Sequence, residues 1–546
     1  RLQFRGAHLT EKETAMYAIV LAIISINIFS TVAQDAAFEA KVDSFLNKAL
    51  ECRKNKNPGL SVAVVKGGKV MLAKGYGFAE VSSGRRVSNT TNFAVASNSK
   101  AFAATLMLKQ LHDRNLSIYT HPGDIIKGDF HFKSSYYTSY VTIRDLMCHA
   151  SGLPSYNLMR LDPTLTKAEM ARRVRYLDTV HPFRTTYMYS NLNYGLLAYC
   201  SEILGGKSYE DLIRETIYTP LGMSRSTFLK FIGQDHNDVA LGYADDEENG
   251  GIVPVPYELD RMWGENGGST GIVSNAVDMT KWLMFHLSGG KNQHGQTVVE
   301  QGILDSMYKS RMVIQSSSIE AAIHRPKTPV TLTEVSYDFG IRDGFYRGYR
   351  ILRHTGTTFG FSSLLTLFPE MNVGIFTTMS GEDENYVFRG LLHSYLADIA
   401  IGEDQPWLNE TTICTFPEPW YRAAPSSRHQ INRNHHPTHA LSTYEGTYHN
   451  IAFGDLKVSF NSTIAQLQMT YGKGLWTLYP LIHRDSFYGE GQGLISKLID
   501  VSPVSFKIAG SGSDVHATSV EIPDFESNAP PVFQKQTSSG GSAIVG

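Results

Sequence analysis

The 546-residue chain reads as an α+β protein. The expected architecture is a mainly antiparallel sheet flanked by helices, with an inserted all-helical lobe, followed by a small all-β domain. Three observations point there. β-rich runs flank Gly67-Gly68 early in the chain, and three more strand-like runs follow one another near residues 345–380. A separate alternating pattern begins only after a proline-rich stretch. With 42% hydrophobic and 19% charged residues, the chain can bury a large core and is too apolar to be disordered. A net charge of -2 and a pI of about 6.9 leave no basic field for nucleic acid.

Residues 1–34 read as upstream residues and a signal peptide. The sequence opens with Arg1, and Met16 is the expected start. Tyr17 to Phe29 (YAIVLAIISINIF) is apolar, and Thr31-Val32-Ala33 supplies short side chains for cleavage near Ala33 or Gln34. That run is shorter than the about 20 residues a membrane span needs, and no other stretch is apolar enough. The mature chain is therefore expected to be secreted, extracellular and without a stable span. N-x-S/T sequons at Asn89, Asn115, Asn409 and Asn461 fit a glycoprotein.

Residues 36–402 then read as one domain. An amphipathic helix over 36–55 is broken at Pro58-Gly59, and LSVAVVKGGKVMLAKGYGF follows as a hairpin. RGYRILRHTG, SSLLTLFP and VGIFTTMSG are the later strands, joined in part by a tight turn at Pro369 to Asn372, and 386–401 is a closing helix. Residues 403–440 have linker character, with prolines at 406, 417, 419, 425 and 437. His429, His435, His436 and His439 crowd there, but no Cys or acidic residue has ligand spacing, so no metal and no cofactor is expected. From 441 to 526 Leu456, Val458 and Phe460 alternate, as do Leu467, Met469 and Tyr471, which fits a small β domain. Residues 527–546 read as a disordered tail. Sequence does not choose among the cysteine pairings. A bridge from Cys52 to Cys414 would tie the ends of the first and last helices, while Cys148 and Cys200 lie in apolar helical contexts that suit buried thiols.

Three short motifs carry candidate chemistry. Ser97-Asn98-Ser99-Lys100 precedes AFAATLMLKQL, a helix apolar nearly all round and therefore buried. Ser97 would stand at its N-terminal end with Lys100 one turn on, on the same face. A buried lysine loses solvation, its pKa falls, and the neutral amine can take a serine proton. Tyr189-Ser190-Asn191 precedes a second helix; a phenol can relay a proton, and the Asn amide can bind a substrate amide. His354-Thr355-Gly356-Thr357 ends a strand, and its glycine lets backbone N–H groups approach a ligand. His354 can donate a hydrogen bond or carry part-time charge.

This ordered S-x-x-K, Y-x-N and H-x-G set resembles the penicillin-recognising serine hydrolases: class C β-lactamases, D-Ala-D-Ala carboxypeptidases, and related esterases and D-aminopeptidases. VTIRDLMCHASGLP (141–154), TPLGM (219–223), GGSTGIVSNAVDMTKW (267–282) and YRGYRILRHTGTTFGFSS (346–363) are similar too, so the resemblance spans residues 38–402. It implies the β-lactamase/transpeptidase-like fold and an acyl-enzyme on Ser97, with Lys100 and Tyr189 sharing the proton work. Asn191, His354, Gly356 and Thr357 would bind substrate, with the Ser97 and Thr357 N–H groups as oxyanion hole. His149 is taken as structural. His354 stands where many lactamases and carboxypeptidases have Lys, which moves the expectation toward a peptidase or esterase. The implied substrate is a small peptide, ester or lactam. The C-terminal β domain is similar to the barrel-like module of some such hydrolases. The chain also resembles the gigasin-type exported members of shell matrix, which implies an alternative: an extracellular matrix protein retaining the hydrolase fold.

Overall fold

Strand β1 (Gly59–Lys66) is apolar at successive positions because both of its faces are covered. Leu60, Val62 and Val64 point into one hydrophobic layer, and Ala63 and Val65 into the other. The first layer holds a helix, α1 (residues 36–52), whose Phe38, Val42, Phe45 and Leu46 recur at helical spacing. Helix α5 (Val387–Ile401) lies in the same layer through Phe388, Leu391, Leu392 and Leu396. The opposite layer contains α2 (Ser99–Asp113), α3 (Asn191–Gly205) and α4 (Ala276–Leu287).

In this computed structural model the described residues are 36–128, 130–233, 238–246, 249–314, 327–383, 386–422, 433 and 435–536. The expected leader, His429 and the last ten residues fall outside them. The central sheet has nine strands. They are β1, β2 (Lys69–Glu80), β3 (Arg85–Arg86), β4 (Met312–Val313), β5 (Leu332–Tyr337), β6 (Arg342–Tyr346), β7 (Tyr349–Thr358), β8 (Phe361–Phe368) and β9 (Val373–Ser380). Their order is β3-β2-β1-β9-β8-β7-β6-β5-β4, every pair antiparallel. The late strands thus return to pair beside the first hairpin, with β1 and β9 as direct neighbours and the helical middle of the chain packed on one face. Cys52 and Cys414 form a disulfide with Cα atoms 5.5 Å apart, tying the end of α1 to the segment after α5. Cys148 and Cys200 are buried free thiols.

Eight further strands close a barrel in sequence order. They are β10 (Gly446–Asn450), β11 (Gly454–Asn461), β12 (Gln466–Tyr471), β13 (Gly474–Pro480), β14 (Ser486–Gly491), β15 (Val501–Ala509), β16 (His516–Glu521) and β17 (Val532–Lys535). Two expectations are corrected here. The stretch from 527 is not wholly a disordered tail: β17 pairs with both β16 and β10, and without it the barrel would keep two open edges. Phe460 does not join the alternation; it is 44% exposed, whereas Leu456 and Val458 are buried inside. Among the described residues no helix is long and apolar enough to cross a membrane, and no three His, Cys, Asp or Glu side chains are grouped to hold a metal.

The barrel docks on the loop over residues 154–162. The Tyr156 N–H donates to Glu526 at 3.0 Å and the Lys473 N–H to the Leu161 carbonyl at 2.9 Å. Gly472 has φ of +53°, and a Cβ there would lie 2.0 Å from that same carbonyl. Phe533 of β17 is fully buried among Phe453, Tyr471 and Phe525. Replacing it with alanine should destabilise the barrel by about 3–5 kcal/mol, read by urea unfolding. A loss below about 1 kcal/mol would mean that the last strand is not part of the barrel.

Candidate active site

Ser97 lies in the 3₁₀ turn Ala96–Asn98, which runs straight into α2. Ala96 is held at φ +48°, a left-handed conformation costing of order 1–3 kcal/mol for a residue with a Cβ. The flanking side chains hold the turn there. Asn98 donates to Ser363 Oγ at 2.8 Å, and Ser363 Oγ donates to the Val95 carbonyl at 2.7 Å. On the other side, Ser99 Oγ accepts the Ile272 N–H at 3.0 Å. Ser97 itself is half-buried.

Lys100 is fully buried, because α2 is packed on nearly every side. Its amine is 3.1 Å from Ser97 Oγ, 2.7 Å from Asn191 Oδ1 and 3.0 Å from the Ser269 carbonyl. The Tyr189 and Tyr194 ring centroids lie 4.6 and 5.5 Å away. Burial, with the nearby Arg342 guanidinium, drives its pKa well below the ordinary 10.5 of lysine. A neutral amine donates two hydrogens, enough for Asn191 and Ser269, and keeps a lone pair to accept the Ser97 hydroxyl proton.

Burial pushes the pKa of the Tyr189 phenol above the ordinary range, and the nearby Ser97 side chain offsets this only in part. The phenol therefore remains a proton donor at neutral pH. Asn191 opens α3, accepts from Lys100 through Oδ1, and donates through Nδ2 to Asn157 at 3.0 Å. Its amide thus orients the lysine.

Strand β7 packs directly on the turn that carries Ser97. At Gly356 a Cβ would lie 2.2 Å from Ser363 Oγ and 2.3 Å from the Val95 carbonyl, so only glycine fits. The Arg389 guanidinium, buried and paired with Asp383 at 2.7 Å, donates to the Gly356 carbonyl and, at 3.0 Å, to Thr357 Oγ1. Thr357 is exposed beside the site.

His354 departs from its expected part. It is 1% exposed, with both ring nitrogens engaged: Nδ1 donates to the Thr355 carbonyl at 2.6 Å and Nε2 accepts from Tyr337 Oη at 3.0 Å. Burial, Arg342 and Lys100 push its pKa well down, so the ring is neutral and supplies no cation to a ligand. It supports Tyr337 in the aromatic wall around Tyr189 instead.

A cleft of about 840 Å³ opens beside Tyr189 and Thr357. Its walls come from both domains: Ser155 and Asn157 from the first, Asp500, Asp524 and Glu526 from the barrel. Arg160 also lines it, its guanidinium 4.2 Å from the Trp263 ring centroid and 5.0 Å from that of Phe359. Burial lowers its pKa to about 9.

Sequence reasoning did not single out Ser269, Asn157, Arg389 or Tyr337. Ser269 was within reach, since it lies in the GGST stretch already noted as distinctive. The others act across chain separations that no local pattern reports.

An antiparallel sheet faced by helices, with a serine one turn before a buried lysine, defines the serine hydrolases of the β-lactamase type. The chain belongs to the Beta-lactamase family, whose model matches residues 35–394. It is similar to Gigasin-6 of Magallana gigas, 32% identical over 243 residues, covering 44% of this chain and 80% of that protein. It is also similar to the unguisins hydrolase ungD of Aspergillus violaceofuscus, 26% identical over 443 residues, 77% of each chain. Among solved structures, the octameric penicillin-binding protein homologue from Pyrococcus abyssi shares the fold, with a TM-score of 0.57 at 20% identity, covering 90% of this chain and 99% of that one.

The opposed displacements of Lys100 and Tyr189 set a pH profile. Phosphonylation of Ser97 by a fluorophosphonate should rise with pH as Lys100 loses its proton, with a midpoint well below 10.5, and stay level up to pH 10 while the phenol keeps its own. Lys100→Arg, which cannot deprotonate, should slow the reaction by about 10²–10⁴-fold. A midpoint near the ordinary lysine value, or an active arginine variant, would refute the assignment.

Proposed function

We propose that the protein is a secreted serine hydrolase that cleaves a small amide or ester through an acyl-enzyme on Ser97. One observation carries this reading: the buried Lys100 amine stands 3.1 Å from Ser97 Oγ, and among the described residues its acceptors are all neutral. Ser97 Oγ attacks the carbonyl carbon as its proton passes to Lys100 Nζ. The resulting oxyanion is met by the Ser97 and Thr357 N–H groups. The C–N or C–O bond breaks as the Tyr189 phenol gives its proton to the leaving group, and Lys100 returns a proton to Tyr189. Water then attacks the ester, gives one proton to the same pair, and Ser97 regains its hydroxyl.

The cleft supports substrates without an essential anionic group. Glu382, Asp500, Asp524 and Glu526 line it against the Arg160 guanidinium, and Asp383 is already paired with Arg389. Negative walls with low-dielectric backing repel an anion and attract a cation. His354 adds no positive charge, because it is buried and neutral.

Export is supported by the Cys52–Cys414 bridge, which suits an oxidising compartment. It is also supported by the exposure of sequon residues Asn89, Asn115 and Asn409. A second reading, an extracellular matrix protein with the same fold, has the similarity to Gigasin-6 in its favour. The complete Ser97, Lys100 and Tyr189 constellation favours chemistry.

Intact-mass analysis after fluorophosphonate treatment should show one adduct, mapped to Ser97 and lost in Ser97→Ala. Labelling that survives this substitution would exclude the nucleophile, and a wild type that takes no label would favour the matrix reading. Among true substrates, a neutral or cationic aryl ester should be turned over at least about 10-fold faster, as kcat/KM, than the same ester carrying a carboxylate near the carbonyl. The reverse order would show that a cationic subsite dominates the cleft.

A further inference from the structure

His149 takes no part in the proton transfers above, yet it is fully buried in the aromatic wall behind Ser97. It follows the short helix Ile143–Met147 and is held at φ +59°. That left-handed backbone costs free energy, and it lets one residue present two acceptors to one strand of chain. The His149 carbonyl accepts the Met188 N–H at 3.0 Å, and its ring Nδ1 accepts the Ser190 N–H at 3.1 Å. These two hydrogen bonds bracket Tyr189. The imidazole also packs on the tyrosine, with ring centroids 4.5 Å apart.

The surrounding contacts make this a clamp on the start of α3. Tyr194 Oη donates to the Met147 carbonyl at 2.6 Å, and Ser151 Oγ donates to Asn193 Oδ1 at 3.1 Å. Because Nδ1 accepts a backbone N–H, it carries no proton, so the ring hydrogen sits on Nε2. Among the described residues that buried Nε2 has no acceptor. The imidazole lies instead in a cage of rings, its centroid 4.6 and 5.3 Å from those of Tyr337 and Tyr194. A group merely filling the core would not need an unpaired nitrogen; the cost is compensated by what Nδ1 holds.

We propose that His149 is the positioning residue of the proton relay, gripping the backbone on both sides of Tyr189 and thereby setting its phenol against Ser97. This rests on the acyl-enzyme reading of the site. The imidazole does not touch the substrate position; its effect passes through the tyrosine.

The test compares His149→Asn with His149→Leu. Asparagine places Oδ1 as many bonds from Cα as Nδ1 and tolerates left-handed backbone, so it restores the bond to Ser190; leucine has no acceptor. Single-turnover acylation by a neutral acyl anilide, whose amine leaving group must take the phenol's proton, is measured on both, with the half-saturating substrate concentration and the thermal midpoint. His149→Asn should stay within about 5-fold of wild type, and His149→Leu should lose about 100-fold in the acylation rate with half-saturation little changed. In a Tyr189→Phe background, His149→Leu should add no further loss beyond about 3-fold. A merely structural ring would predict the opposite: both variants fall together with their thermal midpoints, and the loss persists without the phenol.

A leucine variant within about 5-fold of wild type, or an asparagine variant as slow as the leucine one, overturns the proposal. If His149→Leu does not fold, folded His149→Asn decides alone: near-wild-type acylation supports it and a loss of about 100-fold overturns it. Wild type that takes no label on Ser97 refutes the hydrolase reading itself, and the relay role with it.

Discussion

Lys100 must be buried without a counter-ion, and the arrangement of the first domain follows from that demand. An ammonium taken out of water costs several kcal/mol even after relaxation unless it is paired. Here the acceptors are a hydroxyl, an amide oxygen and a backbone carbonyl, from the turn before α2, from α3 and from the segment before residues 272–274. Among the described residues no carboxylate contacts the amine, so the site is built for a lysine that gives up its proton easily. The three elements must be pressed together to deliver those acceptors. Gly268 shows how tightly: a Cβ there would lie 2.3 Å from the Tyr194 carbonyl. Ser269 can reach the amine only because its neighbour has no side chain.

The same close packing explains why the barrel belongs to the site rather than trailing behind it. The loop over 154–162 faces both ways. Toward α3 it offers Asn157 to the Asn191 amide, and Ser155 Oγ accepts the Asn191 N–H at 3.0 Å. Toward the barrel it receives Glu526 and Lys473. The barrel therefore acts on the loop that orients Asn191, and its own carboxylates finish the cleft. The cleft beside Tyr189 is thus walled in part by a domain other than the one that carries Ser97 and Lys100.

Much of this was legible in local text. The Gly67-Gly68 turn with apolar runs on either side became β1 and β2, and the three late strands lie where their patterns put them. The buried character of α2 followed from Ala101, Ala104, Leu108 and Leu111 recurring at helical spacing. The closing strand of the barrel was not legible. VFQK is four residues long with a single fully buried side chain, Phe533, and it is held by pairing with strands on both sides rather than by any pattern of its own. The aromatic wall was illegible for a similar reason: Tyr337 meets Tyr189 and His149 across the sheet, and sequence carries no distance between them.

His354 shows where a correct motif still misleads about chemistry. Its strand was identified, but whether its ring faced ligand or core depended on what lay over it. Tyr337 of β5 covers it and donates to Nε2, while its own Nδ1 turns to the backbone. With both nitrogens engaged the ring cannot charge without breaking a bond, and Arg342 and Lys100 oppose it further. The position therefore changes more than a side chain: a cation is exchanged for a neutral brace. The chain as a whole has a net charge of only -2, yet the cleft wall gathers carboxylates around one partly shielded guanidinium. Near-neutrality overall thus conceals a local negative field beside Tyr189 and Thr357 that the total charge does not report.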